Sequence, residues 1–311
     1  MKKRRIRRKS NFKKVVIIVL LFFAIITSIV FLFKVFASLL KESYTYKKQK
    51  DILSEKIDSD TVEEILQSDN KNKDKIVKIV SEKYYKKDNY ERYLKYFNEN
   101  KSLDSKKIVE DVNCNLDIEY YTSDYNADLS KGFLVLVNKY YKLASNYVPE
   151  DLIKTEIPYG DGRYINKYVY EAFLKMYDAI SKENMNIYIA SPYRSYNYQE
   201  KLYSNYASKN GVDKADTFSA RAGYSEHQTG LAMDISNVKT SYTEFENTDE
   251  YKWMLNNAHK YGFILRYPKG KERQTGYVFE SWHYRYVGVE VAKYIHENNI
   301  TFDEYYEYFL K

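Results

Sequence analysis

An uninterrupted apolar segment near the N-terminus, residues 15–33, constrains the fold of this 311-residue chain more than any other feature. Its 19 residues include only Thr27 and Ser28 as polar side chains. A helix of that length spans roughly 28 Å, which is close to the hydrocarbon thickness of a bilayer. Residues 1–14 carry nine lysines or arginines and no acid, and such basic flanks stay in the cytoplasm. We therefore expect a single-pass membrane anchor.

This anchor would divide the N-terminal region into two parts. Residues 1–14 are expected to form a basic cytoplasmic tail and residues 15–40 a transmembrane helix, with everything after Lys41 outside the cell. The alternative is a cleaved signal peptide, because Val35-Phe36-Ala37 resembles a small-residue cleavage site. The apolar part of a signal peptide usually has about 7–15 residues, so the length of this segment favours a retained anchor in the cell membrane.

The net charge of +7 comes from the tail and not from the rest of the chain. Beyond residue 14 there are 41 basic and 43 acidic residues, so that part is nearly neutral. Domains that bind nucleic acid carry a basic patch or stripe, and we therefore expect no nucleic-acid partner. Cys114 is the only cysteine, which excludes an internal disulfide and a cysteine-rich metal site.

The distribution of glycine and proline suggests where the domains lie. All ten glycines and all four prolines occur at or after Gly132, so the earlier part lacks the residues that punctuate tight turns. Residues 41–107 are rich in Lys, Glu, Asp and Asn and contain apolar pairs such as Ile52-Leu53. We expect residues 41–107 to form a helical stalk or small helical module, and residues 108–311 to form one larger domain.

Helices and short strands follow one another irregularly in the C-terminal part. From apolar spacing and glycine positions, helices are expected over residues 166–184, from about 197 to near Gly211, over 249–262 and 289–298, and after a cap at Thr301. Strands are expected over 186–191, 231–236, 263–267 and 283–287. Because the order lacks a regular βαβ alternation, we predict an α+β fold with a mainly antiparallel sheet flanked by helices.

Two histidines and two acids lie in short segments that could form one metal site. His227 and Asp234 occur within residues 225–234, and Glu280 and His283 follow about fifty residues later. Two imidazoles and a carboxylate suit Zn²⁺, and three protein ligands leave a fourth position open for water. Glu280 adds a carboxylate beside the last ligand, where a general base would be needed. The combination predicts a zinc hydrolase.

Strand periodicity indicates which of these side chains share a face. In a strand over 231–236, Asp234 points away from the apolar face that carries Met233 and Ile235. Glu280 precedes His283 by an odd number of positions, so on one continuous strand their side chains would point to opposite faces. A turn or bulge around Ser281 is therefore expected, and a straight strand there would weaken the mechanism.

Three segments together resemble the VanY-type D-alanyl-D-alanine carboxypeptidases. They are residues 225–234 (Ser-Glu-His-Gln-Thr-Gly-Leu-Ala-Met-Asp), residues 191–195 (Ser-Pro-Tyr-Arg-Ser) with Gln199, and residues 280–288 (Glu-Ser-Trp-His-Tyr-Arg-Tyr-Val-Gly). This family belongs to the LAS metallopeptidases, a group named for lysostaphin, D-Ala-D-Ala carboxypeptidases and the sonic hedgehog signalling domain. The resemblance extends from about residue 134 to residue 288, and residues 1–107 lie outside it.

The resemblance implies a role for each residue of the constellation. His227, Asp234 and His283 would bind Zn²⁺, and Glu280 would be the catalytic base. This assignment agrees with the ligand set that the residue types already suggest.

The resemblance also implies substrate-binding residues. Arg194 would polarise the scissile carbonyl or hold a substrate carboxylate, and Ser225 and Gln199 would help bind the peptide terminus. An arginine presents a fixed fork of donors that suits a carboxylate or a developing oxyanion. Three positions depart from the residues that the family commonly has, and none of them removes a ligand or the base: Pro192, Ala222 and Ser281.

The expected function is therefore a membrane-anchored zinc carboxypeptidase that acts outside the cell, with residues 108–311 as its zinc carboxypeptidase domain. It would release a terminal D-alanine from peptidoglycan stem peptides by D,D or L,D cleavage. One alternative is a peptidoglycan endopeptidase with the same zinc site, and another is a non-catalytic zinc-containing wall-binding module. The presence of both Glu280 and Arg194 favours a catalytic protein.

Overall fold

The computed structural model describes residues 2–68, 70–123, 125–156, 163–237, 239 and 241–311, and the side chains of residues 2–11, 70 and 71 lie outside that description. The helices in these ranges are α1 (Lys2–Ser54), α2 (Ser59–Gln67), α3 (Asn70–Ser81), α4 (Tyr90–Glu99), α5 (Ser105–Asn113), α6 (Lys167–Ser181), α7 (Tyr196–Asn210), α8 (Val212–Asp216), α9 (Asp249–Asn257), α10 (Glu272–Thr275), α11 (Val289–Asn298) and α12 (Phe302–Phe309). The strands are β1 (Tyr125–Asn126), β2 (Tyr141–Lys142), β3 (Leu152–Lys154), β4 (Tyr164–Asn166), β5 (Tyr188–Ser191), β6 (Ala232–Ser236), β7 (Phe263–Leu265) and β8 (His283–Tyr286).

The chain divides into two compact units, of which the first ends at Asp88 and the second begins at Asn89. Helix α4 lies within the stalk expected over residues 41–107, and α5 crosses the expected boundary at residue 107, yet both helices belong to the second unit. They are held there by burial of Tyr93 and Ile108 and by a hydrogen bond of 2.8 Å from Arg92 Nε to Asp117.

Helix α1 begins in the basic tail and continues without a break through the apolar segment to Ser54. The large apolar side chains between Phe12 and Leu40 are exposed, as a lipid-facing surface would require. The helix is long and apolar enough to cross a membrane, with a mean hydropathy of 3.3 over its most apolar stretch. The helix does not end at residue 40, where we expected the transmembrane segment to end. The prediction of a basic cytoplasmic tail depends mainly on the side chains of residues 1–11, and these lie outside the described part of the structure.

The last turns of α1 pack with α2 and α3 in the first unit. Leu53, Ile79 and Val80 are completely buried. Helix α2 begins after Asp58, whose side chain accepts a hydrogen bond from the backbone N–H of Thr61, and this satisfies one of the free donors of the first turn. This region therefore forms a small helical module with its own core.

A four-stranded antiparallel sheet with the order β5-β6-β8-β7 lies in the second unit. Strands β3 and β4 form a separate antiparallel pair, and β1 and β2 form a two-residue parallel ladder. Helices surround these strands, so the prediction of a mixed helix-and-sheet fold with mainly antiparallel pairing is confirmed.

The face of β6 that packs into the core carries Met233 and Ile235, both completely buried. They belong to a cluster that includes Phe173 of α6 and Tyr284 of β8. Asp234 points to the other face, as the period of two along the strand predicts. The hydrophobic core therefore fixes the direction of the side chain on which the site depends.

Helix boundaries in the second unit agree with the sequence expectations to within a few residues, with one exception. The helix expected over 249–262 is an α-helix only to Asn257, and a 3-10 segment over Ala258–Tyr261 completes it. Gly262 follows with φ +87°, and a Cβ there would lie 2.6 Å from the ring of Tyr286. Glycine is therefore required where this tight turn enters β7. The expected cap at Thr301 is confirmed as a capping box with Glu304.

Candidate active site

His227 lies on a short 3-10 segment, Glu226–Thr229, just before β6. Its Nδ1 is 2.7 Å from the carbonyl oxygen of Pro192, and only a protonated nitrogen can donate to a carbonyl. The tautomer assigned from this contact leaves Nε2 unprotonated. That Nε2 is buried and has no hydrogen-bond partner in the described part of the chain. Its lone pair is therefore available for a cation.

Asp234 and His283 face each other across β6 and β8. The Oδ1 atom of Asp234 lies 3.4 Å from Nε2 of His227 and 3.4 Å from Nδ1 of His283. The three ligand atoms of these residues all lie within 4.8 Å of one another, and Oδ1 has no hydrogen-bond partner among the described residues. Two imidazoles and one carboxylate arranged in this way fit Zn²⁺, which commonly takes three protein ligands in catalytic sites.

The ionisation of these three groups differs because their neighbours differ. Burial and the positive charge of Arg194 lower the pKa of His227 to about 4. Burial alone would lower the pKa of His283, but the nearby carboxylates of Asp234 and Glu226 raise it to about 9. For Asp234, burial is outweighed by the two histidines and Arg194, so that its pKa lies far below the usual range. The surroundings therefore favour the neutral form of His227 and the charged forms of Asp234 and His283.

Glu280 reaches the site through a turn. The backbone N–H of His283 lies 3.4 Å from the carbonyl oxygen of Glu280, and Ser281 and Trp282 form the turn between them. The expected turn at Ser281 is therefore confirmed, and it places Oε2 of Glu280 3.6 Å from Nδ1 of His283. Burial raises the pKa of Glu280 to about 8, and the negative charge of Asp234 acts in the same direction. A carboxyl group with a pKa near neutrality can both accept and return a proton.

Arg194 extends into the same pocket from the loop that follows β5. Its backbone N–H donates to the carbonyl oxygen of His227 at 3.1 Å, so the loop is fixed to the segment that carries a ligand. Its Nη2 lies 3.9 Å from Oδ2 of Asp234. The Nε–H is buried and has no acceptor among the residues described. The guanidinium therefore keeps donor capacity for a substrate oxygen.

Gln199 and Ser225 line this pocket, whose volume is about 330 Å³. The Nε2 of Gln199 donates to the carbonyl oxygen of Ala220 at 2.7 Å. Its Oε1 is buried without a partner in the described ranges, so the amide offers the pocket an acceptor. A hydrogen-bond acceptor can bind a peptide N–H group, whereas an ionised carboxylate has only acceptor atoms and cannot donate to it. The remaining walls carry aromatic side chains, namely Tyr206, Phe218, Tyr242, Tyr267, Tyr277 and Trp282.

Sequence reasoning assigned no role to Glu226, although it lies within the segment that carries His227. Glu226 is completely buried, and its Oε1 accepts from Arg266 Nε at 2.8 Å and from Arg285 Nη1 at 2.9 Å. Its Oε2 lies 3.6 Å from Nε2 of His283. Burial would raise the pKa of Glu226, but the two arginines hold it well below its usual range. The position of Glu226 directly before the candidate ligand His227 could have drawn attention to this acid. No sequence pattern, however, identifies Arg266 as the partner of Glu226.

Comparisons with known proteins identify related carboxypeptidases. The VanY family model, described as D-alanyl-D-alanine carboxypeptidase, matches residues 162–289, a range that includes every predicted site residue. YodJ of Bacillus subtilis (strain 168), whose name provisionally designates it a carboxypeptidase, is 40% identical over 224 residues. The match covers 67% of this chain and 82% of YodJ.

A second relative and one solved structure are also similar. A D-alanyl-D-alanine carboxypeptidase of Enterococcus faecium is 34% identical over 188 residues, which cover 57% of this chain and 58% of that protein. The LdcB LD-carboxypeptidase, whose structure was solved to explain peptidoglycan recognition, is 43% identical with a TM-score of 0.54. That similarity covers 57% of this chain and 87% of LdcB.

Proposed function

This chain belongs to the VanY family of D-alanyl-D-alanine carboxypeptidases, and from that premise we propose that it is a membrane-anchored enzyme that removes the terminal D-alanine from peptidoglycan stem peptides. The chain is a zinc metallopeptidase, with Zn²⁺ as its cofactor. The proposal covers both D,D and L,D cleavage, which differ in the configuration of the residue that precedes the released alanine.

The observation that carries the proposal is the convergence of five side chains from separate segments on one pocket. His227, Asp234 and His283 present three ligand atoms within 4.8 Å of one another. Glu280 and Arg194 line the same pocket. A buried acid with a raised pKa beside a metal-binding group is typical of a hydrolytic site.

Glu280 acts as the general base in this proposal. When bound, Zn²⁺ supplies Lewis acidity to the scissile carbonyl and to the attacking water. Glu280 takes a proton from that water and returns it to the leaving amine of D-alanine, so that one group serves both halves of the reaction. Its position 3.6 Å from His283 keeps the carboxyl beside the ligand set.

Arg194 and Gln199 recognise the end of the peptide. A carboxypeptidase must bind a free terminal carboxylate, and the guanidinium of Arg194 has a buried N–H without an acceptor in the described part of the chain. Arginine binds such a group with a rigid fork of donors. The Oε1 atom of Gln199 is an acceptor and would bind a peptide N–H, and Ser225 lines the pocket next to them. These roles favour exopeptidase over endopeptidase activity.

The membrane anchor supports a substrate outside the cell. The apolar part of α1 follows nine basic residues within residues 1–14, and basic flanks remain cytoplasmic. The second unit would then lie on the outer side, where peptidoglycan is found.

The test uses the full chain, purified in detergent, with defined tetrapeptide and pentapeptide stems. Product masses separate the alternatives, because a carboxypeptidase releases one amino acid and an endopeptidase releases two peptides. We expect loss of a single terminal D-alanine from at least one stem. This loss should stop when a chelator removes the metal and return when Zn²⁺ is restored. Two peptide products would support the endopeptidase, and zinc binding without any cleavage would support a non-catalytic module.

A further inference from the structure

A buried ionic network connects the C-terminal helix α12 with the candidate ligand His283. Asp303 on α12 binds Arg266, Arg266 binds Glu226, and Glu226 faces His283. We propose that Glu226 and Asp303 are positioning residues that hold the His283 ring in its metal-binding orientation. This inference rests on the proposed function, because it takes His283 as a zinc ligand.

The two nitrogens of His283 face different groups. Nδ1 points to Asp234 at 3.4 Å and is therefore the atom that would bind the metal. Nε2 lies on the opposite edge of the ring, 3.6 Å from Oε2 of Glu226. A ligand histidine commonly directs its second N–H to a carboxylate, which fixes the tautomer and the ring orientation. Glu226 has the position and the charge for this role.

Two arginines hold the Glu226 carboxylate in place. Arg285 contacts it at 2.9 Å and also donates to the backbone carbonyls of Phe133 and Val135 at 2.9 and 2.7 Å. Arg266 contacts the same oxygen at 2.8 Å. The side chains of Arg266, Arg285 and Glu226 have no exposed surface. Because water does not reach these charges, each of them must be balanced by the others, and a shift of one side chain would displace its partners.

Asp303 completes the charge balance of the network. Arg266 donates to its two oxygens at 2.6 and 3.2 Å, and Asn138 donates to one of them at 2.8 Å. Two acids then oppose two arginines in a region shielded from water. Without Asp303, Arg266 would carry a buried charge shared with Glu226 alone, which is costly, and it would draw Glu226 away from His283. Asp303 and Asn138 both lie outside the matched residues 162–289.

The test measures zinc affinity directly, without substrate. The metal-free full chain competes for Zn²⁺ with a chromophoric chelator, and Co²⁺ is added separately so that its visible spectrum reports the ligand geometry. We expect Glu226→Gln and Asp303→Asn each to weaken zinc binding about 10–100-fold and to change the Co²⁺ spectrum. The double variant should lose much less affinity than the two single losses added together, because Asp303 acts on His283 only through Arg266 and Glu226. Asp303→Glu, which keeps the charge, should recover part of the loss.

Asp111→Asn is the matched control. Asp111 is also a buried acid paired with an arginine, since Arg273 contacts it at 2.6 Å with 1% of the acid exposed, but it is not part of the network at His283. We expect it to lower stability and leave zinc affinity unchanged. Zinc affinity of Glu226→Gln equal to that of the unaltered chain would overturn the proposal, as would equal effects of Asp303→Asn and Asp111→Asn.

Two further measurements keep the outcomes separate. If Asp303→Asn does not fold, Arg266→Lys replaces it, because lysine keeps the charge but lacks the fork of donors that contacts both Glu226 and Asp303. An unchanged zinc affinity in Arg266→Lys would count against the role of Asp303. Stem-peptide cleavage by the unaltered chain is measured in the same preparations. Failure of the proposed function would appear as zinc binding without cleavage, whereas failure of this inference would appear as cleavage by the unaltered chain with normal zinc affinity in the variants.

Discussion

Asp234 and His283 occupy directly opposed positions on adjacent antiparallel strands, and their Oδ1 and Nδ1 atoms lie 3.4 Å apart. Directly opposite side chains on one face of such a pair are close neighbours. A shift of one residue in this register would turn Asp234 towards the core and Met233 towards the pocket. The register of β6 against β8 therefore holds two of the three candidate ligands at a fixed separation.

Substitution of the candidate base should abolish turnover but not metal binding. We expect Glu280→Gln to lower kcat by about 10²–10⁴-fold, the usual contribution of a general base, while the chain still takes up one zinc ion. The measurement combines cleavage of a stem peptide with metal content determined by mass spectrometry. Glu290→Gln makes the same chemical change at an exposed position on α11 and should have no effect. An undiminished rate in Glu280→Gln would remove Glu280 from the mechanism.

Recognition of a terminal carboxylate should depend on Arg194. A stem peptide with an amidated C-terminus lacks the negative charge, so the unaltered chain should cleave it poorly. We expect Arg194→Lys to lower kcat/KM for the free acid by about 10²–10³-fold and to narrow the difference between acid and amide. Steady-state kinetics with both peptides provide the check. If the variant keeps the full preference for the acid, another group binds the carboxylate.

Zinc affinity should rise with pH from about 6 to 9. The pKa of His283 is raised to about 9, so below that value the ring is protonated and zinc must displace the proton. The affinity should therefore increase by up to about tenfold per pH unit and level off above pH 9. His227, with a pKa lowered to about 4, is neutral throughout and adds no dependence. Competition titrations at several pH values test this, and a flat profile would contradict it.

Met233 should contribute strongly to the stability of the second unit. Its side chain is completely buried on the core face of β6, the strand that also carries Asp234. Met233→Ala should therefore lower the free energy of unfolding by about 2–5 kcal/mol. Trp253 and Trp282 are the only tryptophans and both lie in this unit, so their fluorescence during denaturation reports on it alone. Leu255→Ala, at a position 40% exposed, serves as the control and should change stability by less than about 0.5 kcal/mol. Equal effects of the two substitutions would show that burial of Met233 does not stabilise the second unit.

Membrane topology can be tested with epitope tags at the two ends of the chain. When protease is added to cells whose wall has been removed, we expect a C-terminal tag to be digested and an N-terminal tag to be protected. Permeabilised cells, in which both tags should be digested, are the control. Protection of the C-terminal tag in sealed cells would place the catalytic unit on the cytoplasmic side and contradict the proposed substrate.

The sequence alone was sufficient to predict features that depend on local patterns. The apolar length of residues 15–33 indicated the long N-terminal helix, and alternation along 231–236 placed Asp234 opposite the core face. The parity of Glu280 relative to His283 required a turn at Ser281, which the structure contains. These features follow from the geometry of single helices and strands, which repeats along the chain.

Features that depend on long-range packing required the tertiary structure. The sequence identified His227, Asp234 and His283 as a set, but only the pairing of β6 with β8 and the contact of His227 with Pro192 bring their ligand atoms within 4.8 Å. Arg266 is 40 positions from Glu226 and 37 positions from Asp303 along the chain. No local sequence pattern predicts these contacts, which form only because the three segments pack together in the folded unit. A pattern along the sequence indicates which face a side chain occupies, but the partner on that face is decided by how distant segments pack.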